Sequence, residues 1–522
     1  MSRSFHFVGI GGIGMSGIAE ILHNQGHDVR GSDVSEGTNV RRLLKLGIPV
    51  TIGHKPENVR GAQVVVVSSA IPDGNVEVIA ARENNIPVVT RGEMLAEVVR
   101  SKKAIAVSGS HGKTTTTSLI SAVLSDANFD PTVINGGILN TDQTSARLGT
   151  GDWFVVEADE SDGAFLKLPS TINVITNIDC EHLTYYSTIE NLEYAFFQFI
   201  RNLPFYGLGV VCSDHPRVRR IFCSSHCCEH RQAASREHRH IPSDEPGFLR
   251  DQSLVTSGLV PRSVSRDPYS VPSPLSNNHS VDRRLVTYGI SADSEFTPTF
   301  RGENIRFLGN GTMFDVTVSL DVPFMPKSAG GVTSVKDVFI PILGQHNVLN
   351  ALAAIAVAHE LRISPEIYKA ALASFQGVKR RFTILGKKRG VTFVDDYAHH
   401  PVEIRAVIAA ARQMNAKRVV AVFQPHRYSR FSLLFDDFIA VLATADVVIV
   451  LPVYAAGEPI VEGYNNEKAV EALNAQGHET VYCCDREDLL DLATDIAIEG
   501  DFFVGLGAGN ITEIISNVYN LY

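Results

Sequence analysis

Along the first hundred residues, short apolar runs alternate with stretches whose apolar positions recur every three to four residues. The run Phe5 to Ile10 predicts a strand, Ser16 to Gln25 a helix, and Asp28 to Gly31 a second strand, with further strands at Val64 to Ser68 and Pro87 to Val89. Alternation of this kind predicts a parallel sheet with crossover helices. A second unit opens with the run Ala104 to Ser108, passes a glycine turn into a helix ending near Leu124, and resumes at Trp153 to Glu157 and Ile172 to Thr176. A third begins near Val378, with runs at Val391 to Val394, Arg418 to Phe423, Val447 to Val450 and Phe502 to Gly505. The pattern therefore predicts three α/β units in series.

One stretch breaks it. From about Arg217 to Arg284 the chain is rich in Ser, Arg, His and Pro with little apolar periodicity, as expected of an insertion or disordered loop. Cys223, His226, Cys227, Cys228 and His230 within it suggest zinc by residue type, but the spacing fits no standard finger and adjacent cysteines share one tetrahedral site poorly. A surface insertion is the expectation. Loop closure depends only logarithmically on length, so replacing residues 222 to 280 with a short linker is expected to preserve activity.

Composition narrows the class. The 522 residues exceed what one core supports, and 44% hydrophobic with 20% charged residues is the balance of folded domains. Net charge is 47 minus 57, or −10, which disfavours nucleic acid and anionic membranes as partners, so a phosphorylated ligand has to be met by local donors. No apolar run reaches membrane-spanning length, and the stretch before Gly9 lacks the basic region and apolar core of a signal peptide. Seven irregularly spaced cysteines suit a reducing compartment, and a cytoplasmic location is expected.

The chemistry gathers at strand ends. Gly9-Ile10-Gly11-Gly12-Ile13-Gly14 lies between a strand and a helix, with Asp33 closing the second strand where a ribose-binding acid would sit. By itself it admits a nicotinamide or flavin, a ligand-free packing turn, or another diphosphate such as that of a nucleotide-sugar. Ser108-Gly109-Ser110-His111-Gly112-Lys113-Thr114-Thr115-Thr116 is more specific: a phosphate-binding loop, with Lys113 for the terminal phosphates and the Thr114 hydroxyl for magnesium. It departs from the strict pattern, since Val107 stands where the first glycine would be. The threonine run has poor helix propensity, so local stability does not explain it. Glu157-Ala158-Asp159-Glu160-Ser161-Asp162 crowds four carboxylates at a strand end, a hard-oxygen setting for magnesium or else a solvated loop.

A short G-x-x-G-K-T-T-T loop behind a separate glycine-rich N-terminal unit resembles the Mur ligases, across essentially the whole chain outside residues 217 to 284. The resemblance implies a Rossmann-like domain at 1–102, a central P-loop ATPase-like domain at 103–377 and a C-terminal Rossmann-like α/β domain at 378–522. It further implies ATP-dependent joining of L-alanine to the lactyl carboxylate of UDP-N-acetylmuramate through an acyl phosphate, in peptidoglycan precursor synthesis, with two magnesium ions and at most weak self-association. The E-A-D-E-S-D wording, and the lack of a Lys from Ala195 to Leu203, resemble the alanine-adding branch.

Residue by residue, the resemblance implies UDP-substrate contacts at Gly11, Gly12, Ile13, Gly14, Asp33, His54, Ser69 and Arg91. ATP is expected at Gly109, Ser110, His111, Gly112, Lys113, Thr114 and Thr115, with Asn347 on adenine, Arg381 reaching the nucleotide, and Asp395 and Tyr397 at ribose and base. Asn347 also reads as an N-terminal helix cap. Thr114, Glu157 and His182 are the implied metal ligands. His426, Arg427 and Arg430 form an implied fork for the alanine carboxylate and a phosphoryl group, consistent with two arginines three residues apart. Lys113, Glu157, His182, His426, Arg427 and Arg430 are the expected catalytic residues.

Overall fold

The computed structural model describes residues 2–68, 70–136, 146–223, 282–291, 296–319 and 334–522. Ser69, and Cys227, Cys228, His226 and His230 with the rest of 224–281, lie outside the described residues. Three sheets follow one another along the chain, as the alternating pattern predicts.

The first contains β1 (Ser4–Val8), β2 (Asp28–Asp33), β3 (Val50–Ile52), β4 (Val64–Val67) and β5 (Val88–Thr90), all parallel, in the order β3-β2-β1-β4-β5. The chain reverses its direction of winding between β1 and β4, the place where such sheets open a ligand crevice. Phe5, Phe7 and Val8 are buried, and the helix Ile13–Asn24 covers them with Ile18, Ile21 and Leu22.

The second sheet runs β6 (Lys103–Ser108), β7 (Thr132–Ile134), β8 (Ala146–Arg147), β9 (Trp153–Glu157), β10 (Ile172–Ile175), β11 (Leu208–Cys212), β12 (Arg284–Gly289), β13 (Phe300–Leu308), β14 (Gly311–Val318) and β15 (Ser334–Ile340) along the chain. In space the order is β15-β14-β13-β12-β11-β10-β6-β9-β7-β8. β6 lies between β10 and β9, with Ser108 opposite Ile175 and Val107 opposite Glu157. That register brings the phosphate loop, the acidic run and the Thr176 to His182 turn to one sheet edge. The threonine run, Thr114 to Thr117, is buried in the helix Lys113–Asp126, so packing overrides its poor propensity. Against it lies the Gln345–Glu360 helix, tied by Thr116 Oγ1 donating to Asn350 Oδ1 at 3.1 Å. The antiparallel β13-β14-β15 extension has no counterpart among the predicted strands.

The predicted insertion begins later than expected. Residues 216 to 222 form the helix Pro216–Phe222, with Val218, Ile221 and Phe222 buried and Arg220 paired with the buried Glu193. Three apolar positions in so short an arginine-rich stretch are too few to show periodicity. The third sheet, β16 (Thr383–Lys388), β17 (Val391–Asp396), β18 (Arg418–Phe423), β19 (Val447–Val450), β20 (Val481–Cys483) and β21 (Asp501–Leu506), has the order β16-β17-β21-β18-β19-β20 and is parallel except for the β16–β17 pair.

Candidate active site

At the first sheet, Gly9 takes a φ of +78° and Gly12 precedes the first helix. Gly11 N–H donates to Asp33 Oδ2 at 2.8 Å, and a Cβ on Gly11 would stand 2.9 Å from that oxygen. Ile13 opens the helix, while Gly14 faces Arg91, whose Nη1 would lie 3.1 Å from a Cβ there. Arg91 opens a helix held by the Thr90/Glu93 capping box and reaches Asp159 at 3.3 Å and Asp162 at 3.9 Å. It thus joins the glycine turn to the acidic run across two domains. His54 sits beside Ser32 at the end of β2, its Nδ1 3.1 Å from Ser32 Oγ.

In the phosphate loop, Gly109 and Gly112 take φ values of +132° and +81°, which a side chain rarely adopts. A Cβ on Gly109 would collide with the Thr176 hydroxyl. Asn177 clamps the loop, accepting from His111 N at 2.7 Å and donating to His111 O at 2.9 Å, while Ser110 Oγ accepts from Asp179 N. Lys113 Nζ donates to Glu160 Oε1 at 2.9 Å and to the carbonyls of Gly109 and Ser110 at 2.6 and 3.2 Å. Burial opposes its charge, yet Glu160, Asp159 and Glu157 hold it protonated above the usual lysine range. Burial, with Asp159 adding to it against the pull of Lys113, pushes Glu160 up to about 7. Thr114 is buried in the first helical turn, and Thr115 borders the nucleotide-sized cavity described below.

His182 stands at φ +58° in the turn after β10, with Nε2 3.6 Å from Glu160 Oε1 and 3.7 Å from Glu181 Oε2. Burial, and the charges of Lys113 and Arg430, keep its imidazole neutral despite the nearby acids. Glu160, Glu181 and His182 offer ligand atoms within 4.8 Å of one another, and Glu160 Oε2 and Glu181 Oε1 are buried without a hydrogen-bond partner. Two oxygens and an imidazole nitrogen of this kind fit a hard divalent cation. Glu157 is placed differently: its Oε2 accepts from Gly136 N at 2.7 Å on the far side of the loop.

Between the second and third sheets lies a cavity of about 500 Å³, bordered by His346, Asn347, Arg381, Phe382, Asp396 and Glu403 and by the phosphate loop at Gly112. Asn347 does not cap its helix. The cap is Gly344, and the Asn347 side chain donates back to Leu343 O at 2.7 Å and accepts from Asn350. Asp395 faces away from the cavity, taking the Thr512 hydroxyl at 3.1 Å, whereas the next residue, Asp396, borders it and accepts from Phe382 N and Ala398 N at 2.6 and 2.7 Å. Tyr397 lies beneath Arg380 and Arg381, whose guanidinium carbons are 4.6 and 5.5 Å from its ring centre.

His111 bridges the two domains. Its Nδ1 lies 3.2 Å from Glu403 Oε1, and its Nε2 lies 3.2 Å from Asp179 Oδ2, away from ideal hydrogen-bond alignment. Burial would lower its pKa, but Asp179 and Glu403 outweigh it and raise it to about 10.

Beyond β18, His426 stacks on Tyr454 at 5.6 Å with ring planes 8° apart, its Nδ1 buried and unpartnered. Burial, then His399, Arg430 and Arg427, lower its pKa to about 3. Arg427 takes φ +70° and is half-exposed, 3.9 Å from Glu458. Arg430 lies close enough to lower the pKa of both His182 and His426, so the C-terminal fork faces the Glu160/Glu181/His182 group. The acidic partners Glu160 and Glu181 stood inside quoted motifs but could not be ranked above Glu157 without the fold. Asn177 likewise stood in a quoted motif with nothing to mark its clamp on the loop. Glu403, in the first turn of the Pro401–Gln413 helix, carries no sequence signal.

The chain matches the family models for the Mur ligase family, catalytic domain, at residues 4–103, the Mur ligase middle domain at 107–242, and the Mur ligase, glutamate ligase domain, at 380–509. It is 49% identical over 509 residues to a UDP-N-acetylmuramate–L-alanine ligase of Brucella anthropi, covering 97% of this chain and 95% of the relative. Among solved structures it is similar to the UDP-N-acetylmuramate–alanine ligase of Thermotoga maritima, with a TM-score of 0.74 and 26% identity over 99% of each chain. It shares its fold with a murein peptide ligase of Psychrobacter arcticus, with a TM-score of 0.65 and 20% identity over 99% of this chain and 98% of that one.

Proposed function

The chain belongs to the Mur ligase family, and from that premise we propose that it joins L-alanine to the lactyl carboxylate of UDP-N-acetylmuramate with ATP, in peptidoglycan precursor synthesis. The observation that carries this reading is the meeting of three domains around Lys113. Arg91 arrives from the first domain, Glu160 and His182 from the second, and Arg430 from the third.

In the first step a lactyl carboxylate oxygen attacks the γ-phosphorus of ATP, the bond to the β–γ bridging oxygen breaks, and ADP leaves. In the second, the neutral amine of L-alanine attacks the acyl carbon and inorganic phosphate departs, leaving the amide. Lys113 neutralises phosphoryl charge during both steps, its ammonium exchanging Glu160 for phosphate oxygens. The glycine turn and Arg91 hold the UDP-sugar so that its carboxylate points toward the acidic run. Asn347, Arg381 and Asp396 line the nucleotide cavity, and Arg427 and Arg430 hold the carboxylate of alanine with His426 beside them. Magnesium, held by Glu160, Glu181 and His182 with Glu157 and Thr114 at the phosphate side, would supply charge neutralisation at the triphosphate. Alignment of this kind contributes up to about 7–11 kcal/mol of barrier lowering. Domain limits at 1–102, 103–377 and 378–522 belong to the same reading, as does a cytoplasmic setting where both nucleotides are available. No helix among the described residues is long and apolar enough to cross a membrane.

The test is phosphate release with ATP, UDP-N-acetylmuramate and a panel of amine substrates. L-Alanine is expected to be best. Glycine and L-serine are expected to be slower by about 10- to 100-fold, the worth of one small group in a pocket. A strong preference for a tripeptide would move the assignment to a peptide-recycling ligase.

A further inference from the structure

Away from the phosphate chemistry, the first domain buries a carboxylate. Glu77, on the helix Val76–Glu83, is fully buried and gathers donors from four segments of the chain. Its Oε2 lies 3.3 Å from His6 Nε2 on β1, accepts the Ser32 hydroxyl on β2 at 2.5 Å, and lies 3.3 Å from His54 Nδ1. Its Oε1 takes the Asn58 side-chain amide and lies 3.3 Å from Lys55 N. Burial raises its pKa, but hydrogen bonds from His6, Ser32 and Asn58 outweigh it and hold the group at about 2. An ionised carboxylate is acceptor-only, so the ring nitrogen facing it carries the proton. His54 therefore has Nδ1–H inward and Nε2 as a lone-pair acceptor. Nε2 is buried and has no hydrogen-bond partner.

The His54 loop lies at the ligand edge of the sheet. Gly53 N–H donates to Asp33 O at 2.8 Å, and Asp33 in turn takes the N–H of Gly11 in the glycine turn. We propose that Glu77 is a positioning residue for recognition of the nucleoside of the UDP-sugar, fixing His54 so that Nε2 accepts a hydrogen bond from a ribose hydroxyl or the uracil imide N–H. An acceptor nitrogen does not pair with a diphosphate, which itself only accepts. Nucleoside and diphosphate are then read by separate groups, His54 and the glycine turn. The proposal rests on the UDP-sugar reading above, and its test uses UDP alone so that the two fail separately.

Glu77→Gln, His54→Gln and the double variant are compared by calorimetric binding of UDP, by KM for UDP-N-acetylmuramate and ATP, and by ¹⁵N NMR of the His54 ring. Glu77→Gln is expected to weaken UDP binding and raise the UDP-sugar KM about tenfold, with ATP KM and kcat unchanged within about twofold. The His54 ring is expected to lose its single Nδ1–H tautomer, and the double variant to bind UDP no worse than His54→Gln. A lowered melting temperature with unchanged UDP affinity and tautomer would make Glu77 a fold staple only and overturn the proposal. Multiplicative effects in the double variant would overturn it as well. Should Glu77→Gln fail to fold, Ser32→Ala, which removes the hydroxyl shared by His54 and Glu77, carries the same test with a smaller expected loss. If UDP binds and responds in this way while no ligation occurs, the reaction assignment falls and the His54 assignment stands.

Discussion

The turn at Gly9 to Gly14 and the loop at Gly109 to Thr114 are built alike. Each follows a buried parallel strand, uses glycines at positive φ and opens a helix whose first N–H groups face the crevice. They differ in charge. The first contains no cation, shares Gly11 N–H with Asp33, and has Arg91 brought to it from another helix. The second carries its own lysine among Glu160, Asp159 and Glu157 and is bolted to the third domain through His111 and Glu403. The difference follows from the task. A diphosphate that stays intact needs neutral donors and one fixed cation, whereas a phosphoryl group in transit needs a cation that can exchange partners and a neighbouring domain that reports closure.

The sharpest way to break the comparison is Lys113→Ala. A loss of about 10²- to 10³-fold in kcat is expected, with UDP-sugar binding intact, because one preorganised charge is removed from the transferring group. Normal turnover in a folded variant would dismiss the second loop's distinct role. Gly11→Ala addresses the first turn. Its Cβ would stand 2.8 Å from Val40 and 2.9 Å from Asp33, so overpacking of about 1–3 kcal/mol should raise the UDP-sugar KM roughly tenfold while ATP binding holds. Equal damage to both substrates would show that the turns are not independent.

The smallest effect concerns pH. The His111 pKa is raised in the folded state, from 6.5 to about 10, so its contribution to docking of the second and third domains is fully present below about pH 6.5 and fades as pH rises through about 10. Limited proteolysis between those domains should accelerate over that range at fixed ionic strength. Glu403→Gln should flatten the profile and leave the first domain's stability unchanged. A profile identical in wild type and variant would remove His111 from the interface.

Much of this was legible in one sequence. Alternating apolar runs announced three parallel sheets, since buried strands must be continuously apolar and crossover helices must show a polar face. The phosphate loop announced itself, because Lys113 behind two glycines has little structural reason to exist. Two implied placements turned out otherwise. Asn347 bonds back to Leu343 instead of capping its helix, and Asp395 turns to Thr512 while Asp396 borders the cavity. Adjacent residues on a strand point to opposite faces, and a single residue of register separates the two aspartates. Tertiary structure alone decided which of the acids meets Lys113, that Glu403 reaches a loop 292 residues away, and that Glu77 collects four segments around one buried charge. Sequence periodicity records what each element hides from water, a local property. Which charges face one another is set by how elements cross and domains dock, and no pattern within one segment encodes that.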